Sequence, residues 1–182
     1  KIEGFNPAGI ILSGGPESAS SGSGPRAPDI VFNLNVPVLG ICYGLHTMAA
    51  QLGGSVEPSD EKEFGYAEVE LIHTSALLDG ITDRQSESGN GLLDVWMSHG
   101  DKVIKLPHGF ELIASTASAP VSAIADGSRH FYGIQFHPEV THTTSGKKIL
   151  ERFAIDICNC EARWTAANII EDVIRNVRHE VG

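Results

Sequence analysis

Pro37-Val38-Leu39-Gly40-Ile41-Cys42-Tyr43-Gly44 is the stretch on which the fold turns. A short, wholly apolar run is the pattern of a strand buried on both faces of a sheet. It leads straight into a cysteine set in Gly-x-Cys-x-Gly. That is the thiol form of the nucleophile elbow, a sharp strand-to-helix turn where glycines let the backbone pass close to the reactive side chain. Tyr43 to Leu52 are helix formers and stop at Gly53-Gly54, a plausible C-cap. Upstream, Gly9-Ile10-Ile11-Leu12 is another apolar strand and ends in the tight loop Ser13-Gly14-Gly15-Pro16. Downstream, His130 to Phe136 reads as a third strand, ending in His137-Pro138-Glu139. Three such loops, each at the carboxyl end of a buried strand, place a ligand site on one edge of an open α/β sheet.

The chemistry of those loops is coherent. A thiol at a helix N-terminus feels the positive end of the helix dipole, which favours the thiolate. His137 would hold that thiolate and later protonate a leaving group. Glu139 would accept from the far imidazole nitrogen and fix its tautomer. Cys42, His137 and Glu139 thus make a Cys-His-Glu triad for acyl transfer. The backbone N–H groups of Tyr43 and Gly15 are the candidate oxyanion donors. The bland alternative for Cys42 is a buried structural cysteine, the commonest fate of a lone Cys; two flanking glycines at a strand-helix turn weigh against it. Met97-Ser98-His99-Gly100-Asp101 reads as a further strand-end loop of polar groups able to hold a substrate's charged end. His46, one helical turn after Cys42, faces either the pocket or solvent. Cys158-Asn159-Cys160 is a lone C-x-C without paired ligands, so Cys158 is assigned to the core and no metal site is expected.

Elsewhere, Ala27 to Leu34 is expected to be a short helix and Glu17 to Gly24 a flexible Ser/Gly-rich loop. Ala67 to Ile72, Leu92 to Met97, Glu111 to Ser115 and Val121 to Ala125 read as strands, with Gln85 to Gly91 a polar tip. Ile149, Leu150, Phe153, Ala154, Ile157 and Cys158 recur at helical spacing. A last helix, capped by Thr165, would carry Ile169, Ile170, Val173, Ile174 and Val177 on one face, needing a partner. The 182 residues suffice for one domain with a full core, and 41% of them are apolar. A net charge of −10 argues against nucleic acid or an anionic membrane surface as partner. No apolar run approaches a membrane span of about 20 residues. Three sparse cysteines fit a reduced, cytoplasmic protein.

These loops, in this order, resemble the class I (triad) glutamine amidotransferases. Glu63-Phe64-Gly65-Tyr66-Ala67, Asp94 through Val103 and Gln135 through Thr143 are similar to the glutaminase domain of the GMP synthase family (glutamine-hydrolysing). The resemblance covers nearly all of residues 5–182. It implies a flavodoxin-like, open, mostly parallel sheet with flanking helices. It also implies hydrolysis of the glutamine side-chain amide through a γ-glutamyl thioester on Cys42. The ammonia would pass to a synthetase domain that aminates XMP to GMP with Mg-ATP, while the glutaminase step itself needs no cofactor. On this pattern Gly44, His46, Ser98 and Gly100 contact glutamine, and the complete enzyme is a homodimer.

Three departures accompany the resemblance. His46 stands where the family usually has a glutamine that helps bind substrate. The family's first strand-helix-strand unit precedes the matched region and is missing from this chain. The synthetase half is missing too, and Ser13-Gly14-Gly15-Pro16-Glu17-Ser18 does not fit an ATP-pyrophosphatase loop. The expected organisation is therefore a glutaminase domain over 1–160, N-terminally incomplete, with 161–182 a linker and helix leading toward an ATP-pyrophosphatase domain. The rival readings are the glutaminase of another synthetase (carbamoyl-phosphate or anthranilate), a separate chain binding its synthetase in trans, and a catalytically silent docking module.

Overall fold

Among the described residues, short apolar runs form one side of an eight-stranded sheet. The computed structural model describes residues 2–20, 24–162, 173–175 and 177–178. In chain order the elements are α1 (Ile2–Phe5), β1 (Ile10–Leu12), β2 (Val38–Ile41), α2 (Tyr43–Gln51), β3 (Ser55–Leu71), β4 (Arg84–Gln85), β5 (Gly91–Lys105), β6 (Glu111–Ser115), β7 (Ala123–Asp126), β8 (Phe131–Ile134) and α3 (Gly146–Glu151). A single 3-10 turn, Asp29–Phe32, replaces the helix expected over Ala27 to Leu34. Pro28 holds an extended ψ of 136° just before it, so helical geometry cannot begin earlier. After α3 the chain continues as a π-helical stretch, Arg152–Ile157.

The strand order is β1-β2-β8-β7-β6-β3-β5-β4. Parallel pairing is confined to β1/β2 and β2/β8, and the remaining neighbours pair antiparallel. The flavodoxin-like open frame with flanking helices is present, but its sheet is mixed rather than mostly parallel. The cause is the middle of the chain, where β3 and β5 form one long hairpin-like pair from Ser55↔Lys105 to Glu70↔Leu92. Antiparallel strands need no crossover helix, so this segment extends the sheet without adding a layer. The alternation along β5, where Leu93, Val95, Met97, His99, Asp101 and Val103 are buried, is the period of a half-covered strand. Polar residues at buried positions are what make the end of this strand read as a loop.

In the parallel strands successive residues serve two cores. Val38 and Phe131 pack with Leu45, Met48 and Ala49 of α2, whereas Leu39 and Tyr132 pack with Ile149, Phe153 and Cys158. Burial on both faces accounts for the unbroken apolar runs of β2 and β8, whereas β1, expected from its apolar run to be buried, is the edge strand of the sheet and leaves Ile11 exposed. Cys158 sits in the core as expected, its sulfur lying over the backbone of Gly9. His73, His108, His130 and His142 lie on the surface. Thr165, Ile169, Ile170 and His179 fall outside the described residues; Val173, Ile174 and Val177 are exposed. Among the described residues no helix is long and apolar enough to cross a membrane.

Candidate active site

The three loops singled out in the sequence follow β1, β2 and β8, which are adjacent and parallel, so all three emerge on one edge. Between β2 and α2 the chain reverses at Cys42, which adopts φ 50° and ψ −106°. A non-glycine residue in that region is strained and persists only where its surroundings over-determine it. Here they do. Cys42 N–H donates to the Ile134 carbonyl at 2.8 Å, and its own carbonyl accepts from His46 N–H at 3.1 Å. The elbow also needs its glycines. A Cβ on Gly40 would lie 2.7 Å from the Gly44 carbonyl, and one on Gly44 would lie 1.9 Å from the Leu12 carbonyl oxygen.

His137 stands beside this turn. Its Nδ1–H donates to Glu139 Oε1 at 2.6 Å, which leaves Nε2 as the basic nitrogen. That Nε2 is buried, with no hydrogen-bond partner within ordinary geometry among the described residues. The Cys42 thiol donates to the Ser98 carbonyl at 3.4 Å. His137 is pushed up to about 9, foremost because its imidazolium can donate to the Cys42 sulfur, against the opposing pull of burial, with Glu139 adding to it. The Cβ direction of Gly14 points at His137 Cε1, 3.0 Å away, and at Cys42 Cβ, 3.8 Å away, so this glycine closes the space around the pair.

The His137 loop is braced from β5. His137 N–H donates to the Trp96 carbonyl at 3.0 Å. Thr143 Oγ1 donates to the His137 carbonyl at 2.6 Å and accepts from Trp96 N–H at 3.1 Å, while the Trp96 and His142 rings stack 4.6 Å apart. The Trp-Met-Ser-His-Gly-Asp and Val-Thr-His-Thr stretches are thus two halves of one support.

A cleft of about 450 Å³ opens over Cys42, lined by Gly15, Tyr43, His46, Ser98 and Gly100 among others. Its size suits a small metabolite. Met97-Ser98-His99-Gly100-Asp101 is not a strand-end loop but part of β5, laid along one wall. Gly15 packs over the Tyr43 ring, whose carbons lie 3.6 Å from its Cβ direction, so the two candidate oxyanion residues are neighbours. His46 is neither solvated nor capped: it is buried, lines the cleft, and shares a 2.7 Å hydrogen bond with Gln135 Oε1. Burial holds it below the ordinary histidine value, so it is neutral at pH 7. The Cβ direction of Gly44 runs into β1. His99, which the sequence does not distinguish from its neighbours, is buried and bonds the Asp101 carbonyl at 3.0 Å and Glu63 at 3.2 Å, pinning β3 to β5. Among the described residues no three His, Cys, Asp or Glu side chains gather as a metal site.

A cysteine on a strained elbow and a histidine at the next strand end, on an open α/β frame, are the parts that thiol-dependent acyl transfer requires. Residues 1–157 match the family model "Glutamine amidotransferase class-I", and the chain belongs to that family. It is 62% identical over 178 residues to the glutamine-hydrolysing GMP synthase of Methylococcus capsulatus, covering 98% of this chain and 34% of that protein. It is 59% identical over 182 residues to the enzyme of Pectobacterium atrosepticum, covering 100% of this chain and 35% of that one. The chain therefore spans about a third of the length of these relatives. Among solved structures, a protein from Thermoplasma acidophilum described as a GMP synthase subunit superposes with a TM-score of 0.68 at 32% identity, covering 84% of this chain and 73% of that one. A glutamine amidotransferase from Thermotoga maritima shares the fold, with a TM-score of 0.59 at 24% identity over 82% of this chain and 61% of that one.

Proposed function

We propose that this chain is the glutaminase component of a glutamine-hydrolysing GMP synthase. The carrying observation is the buried, unpartnered Nε2 of His137 beside Cys42, with Nδ1–H committed to Glu139. With the Cys42 proton held on Nε2, as the raised value of His137 favours, the thiolate attacks the side-chain amide carbon of glutamine. The Tyr43 and Gly15 N–H groups receive the developing oxyanion. The tetrahedral adduct collapses as the His137 imidazolium protonates the departing nitrogen, releasing ammonia and leaving a γ-glutamyl thioester. Water, giving its proton to Nε2, then attacks the thioester, and glutamate leaves as the thiol is restored. Ser98, Gly100 and His46 border the bound glutamine, and Glu139 holds the tautomer throughout.

The ammonia then aminates XMP in a synthetase unit that uses Mg-ATP; the glutaminase step needs no cofactor. Gly14 and Gly15 pack on His137 and Tyr43, which supports reading their loop as part of the amide site rather than as a nucleotide cradle. The lengths of the bacterial relatives support a synthetase fused in cis, over a 1–160 glutaminase domain and a 161–182 connection. The description of the Thermoplasma protein as a subunit supports assembly in trans as the second arrangement. The complete enzyme is proposed to be a cytoplasmic homodimer. The test is acceptor exchange with the full enzyme: glutamine-dependent product should form with XMP and not with bicarbonate or chorismate. Product with either of those instead would assign the chain to another synthetase.

His137 also sets a pH dependence. Its value in the folded protein, about 9, lies above the ordinary histidine value of about 6.5. A raised value means the imidazolium's interactions stabilise the fold fully below about pH 6.5 and are lost as pH rises through about 9. His137→Asn should therefore melt below the parent near pH 6, with the gap shrinking by about pH 9.5. A gap in Tm that is constant with pH would show that this histidine gains no proton affinity on folding.

A further inference from the structure

A second set of contacts crosses the cleft away from the thiol. Asp101, in β5, is 8% exposed. Its Oδ2 accepts from the Ser18 hydroxyl at 2.6 Å, from Ala19 N–H at 3.0 Å and from Ser20 N–H at 3.4 Å. All three donors lie in the Ser/Gly-rich segment that the sequence presents as a flexible loop. The segment is tied again further on, where Arg26 Nη2 donates to the Ala19 carbonyl at 3.1 Å and the Tyr43 hydroxyl donates to the Pro25 carbonyl at 2.6 Å. Glu17 and Ser18 line the cleft, as do Ser98, Gly100 and Asp101. A carboxylate this buried is costly unless donors meet its charge, and hydrogen bonds to an ionised acceptor are the stronger kind. Here the donors are two backbone amides and a hydroxyl from one loop, so carboxylate and loop hold each other in place. Nothing in the triad mechanism uses this group.

We propose that Asp101 is a positioning residue for glutamine binding: it clamps Ser18 to Ser20 against β5 and thereby fixes the cleft wall formed by Glu17 and Ser18. The proposal rests on the glutaminase reading for its consequence, but the clamp itself is a property of the folded chain. Losing it frees the wall while Cys42, His137 and Glu139 keep their places, so binding suffers and the chemical step does not.

The test compares the parent, Asp101→Ala, Asp101→Asn and Ser18→Ala in the full chain. Amide hydrogen exchange at Ala19 and Ser20 reads the clamp directly; steady-state kinetics and alkylation of Cys42 by iodoacetamide read its consequence. Asp101→Ala should speed exchange at both amides about tenfold or more and raise KM for glutamine by a similar factor, with kcat within about threefold and iodoacetamide reactivity unchanged. Asp101→Asn keeps an acceptor oxygen and should restore both amide protection and KM to within about threefold, while Ser18→Ala, losing one of the donors, should fall between. Should Asp101→Ala not fold, the last two variants carry the comparison. Unchanged exchange in Asp101→Ala would overturn the clamp, and unchanged KM, Asn behaving like Ala, or kcat and alkylation falling in step with KM would overturn the positioning role. A parent that does not hydrolyse glutamine would instead strike the glutaminase reading, leaving amide exchange to decide the clamp by itself.

Discussion

Cys42→Ala is expected to abolish glutamine hydrolysis, lowering kcat by about 10⁴-fold or more, while amination driven by added ammonium salts continues in the full enzyme. The two halves of this expectation have separate physical grounds. The γ-glutamyl thioester cannot form without the sulfur, and no other thiol sits on the elbow between Gly40 and Gly44, where the Tyr43 hydroxyl is committed to the Pro25 carbonyl. Free ammonia bypasses the amide step, so a synthetase unit that is folded and supplied with Mg-ATP has no need of the thiol. Alanine keeps the Cβ and removes one buried atom, so the fold should be little disturbed. The assay is glutamate release beside GMP formation from glutamine and from ammonium. Loss of both activities together would point to structural damage; persistence of glutamate release would remove Cys42 from the mechanism.

Gly44→Ala should be the most destabilising single methyl in the chain, costing about 3 kcal/mol or preventing folding altogether. Its Cβ would sit 1.9 Å from the Leu12 carbonyl oxygen and 2.6 Å from that carbonyl's carbon. Both are backbone atoms of β1, so no rotamer change can relieve the clash; either β1 or the first turn of α2 must shift. Because β1 pairs with β2 and carries the Ser13-Gly14-Gly15 loop at its end, such a shift would also displace the oxyanion side of the cleft. Gly127→Ala is the matched control, since nothing lies within 4 Å of its Cβ position and its φ lies outside the positive region. Urea midpoints should separate the two clearly at similar slopes. Equal midpoints would show that the close approach of helix and strand is not required.

Much of the site is legible in the sequence because its chemistry sits at strand ends in short, distinctive runs. Gly40 to Gly44 announces an elbow, and both neighbours of its strand are apolar enough to be recognised as strands, though only β8 is buried while β1 lies at the edge with Ile11 exposed. The order of those strands comes out as the reading requires, with β1, β2 and β8 side by side. The middle of the chain is less legible. β3 and β5 carry glutamate, serine, histidine and aspartate along their length, and buried polar residues break the apolar alternation on which a strand is recognised. The pairing of His99 with Glu63, and of Asp101 with the Ser18 segment, is what lets those polar groups be buried. Such partners lie 36 and 83 positions apart, and local patterning cannot reveal them. The Ser/Gly-rich composition of residues 17–24 likewise says nothing of the carboxylate that fastens it. His46 illustrates the reverse case: the sequence leaves it between pocket and solvent, and its bond to Gln135 decides for the pocket.

The central claim is that Cys42 is a reactive nucleophile in a cleft shaped for glutamine. Intact-mass labelling with a chloroketone analogue of glutamine tests it most directly, comparing the parent with Cys42→Ala. The account predicts one adduct on the parent, slowed by competing glutamine and absent from the variant. A folded parent that takes up no adduct, or a variant that is labelled equally, would contradict it.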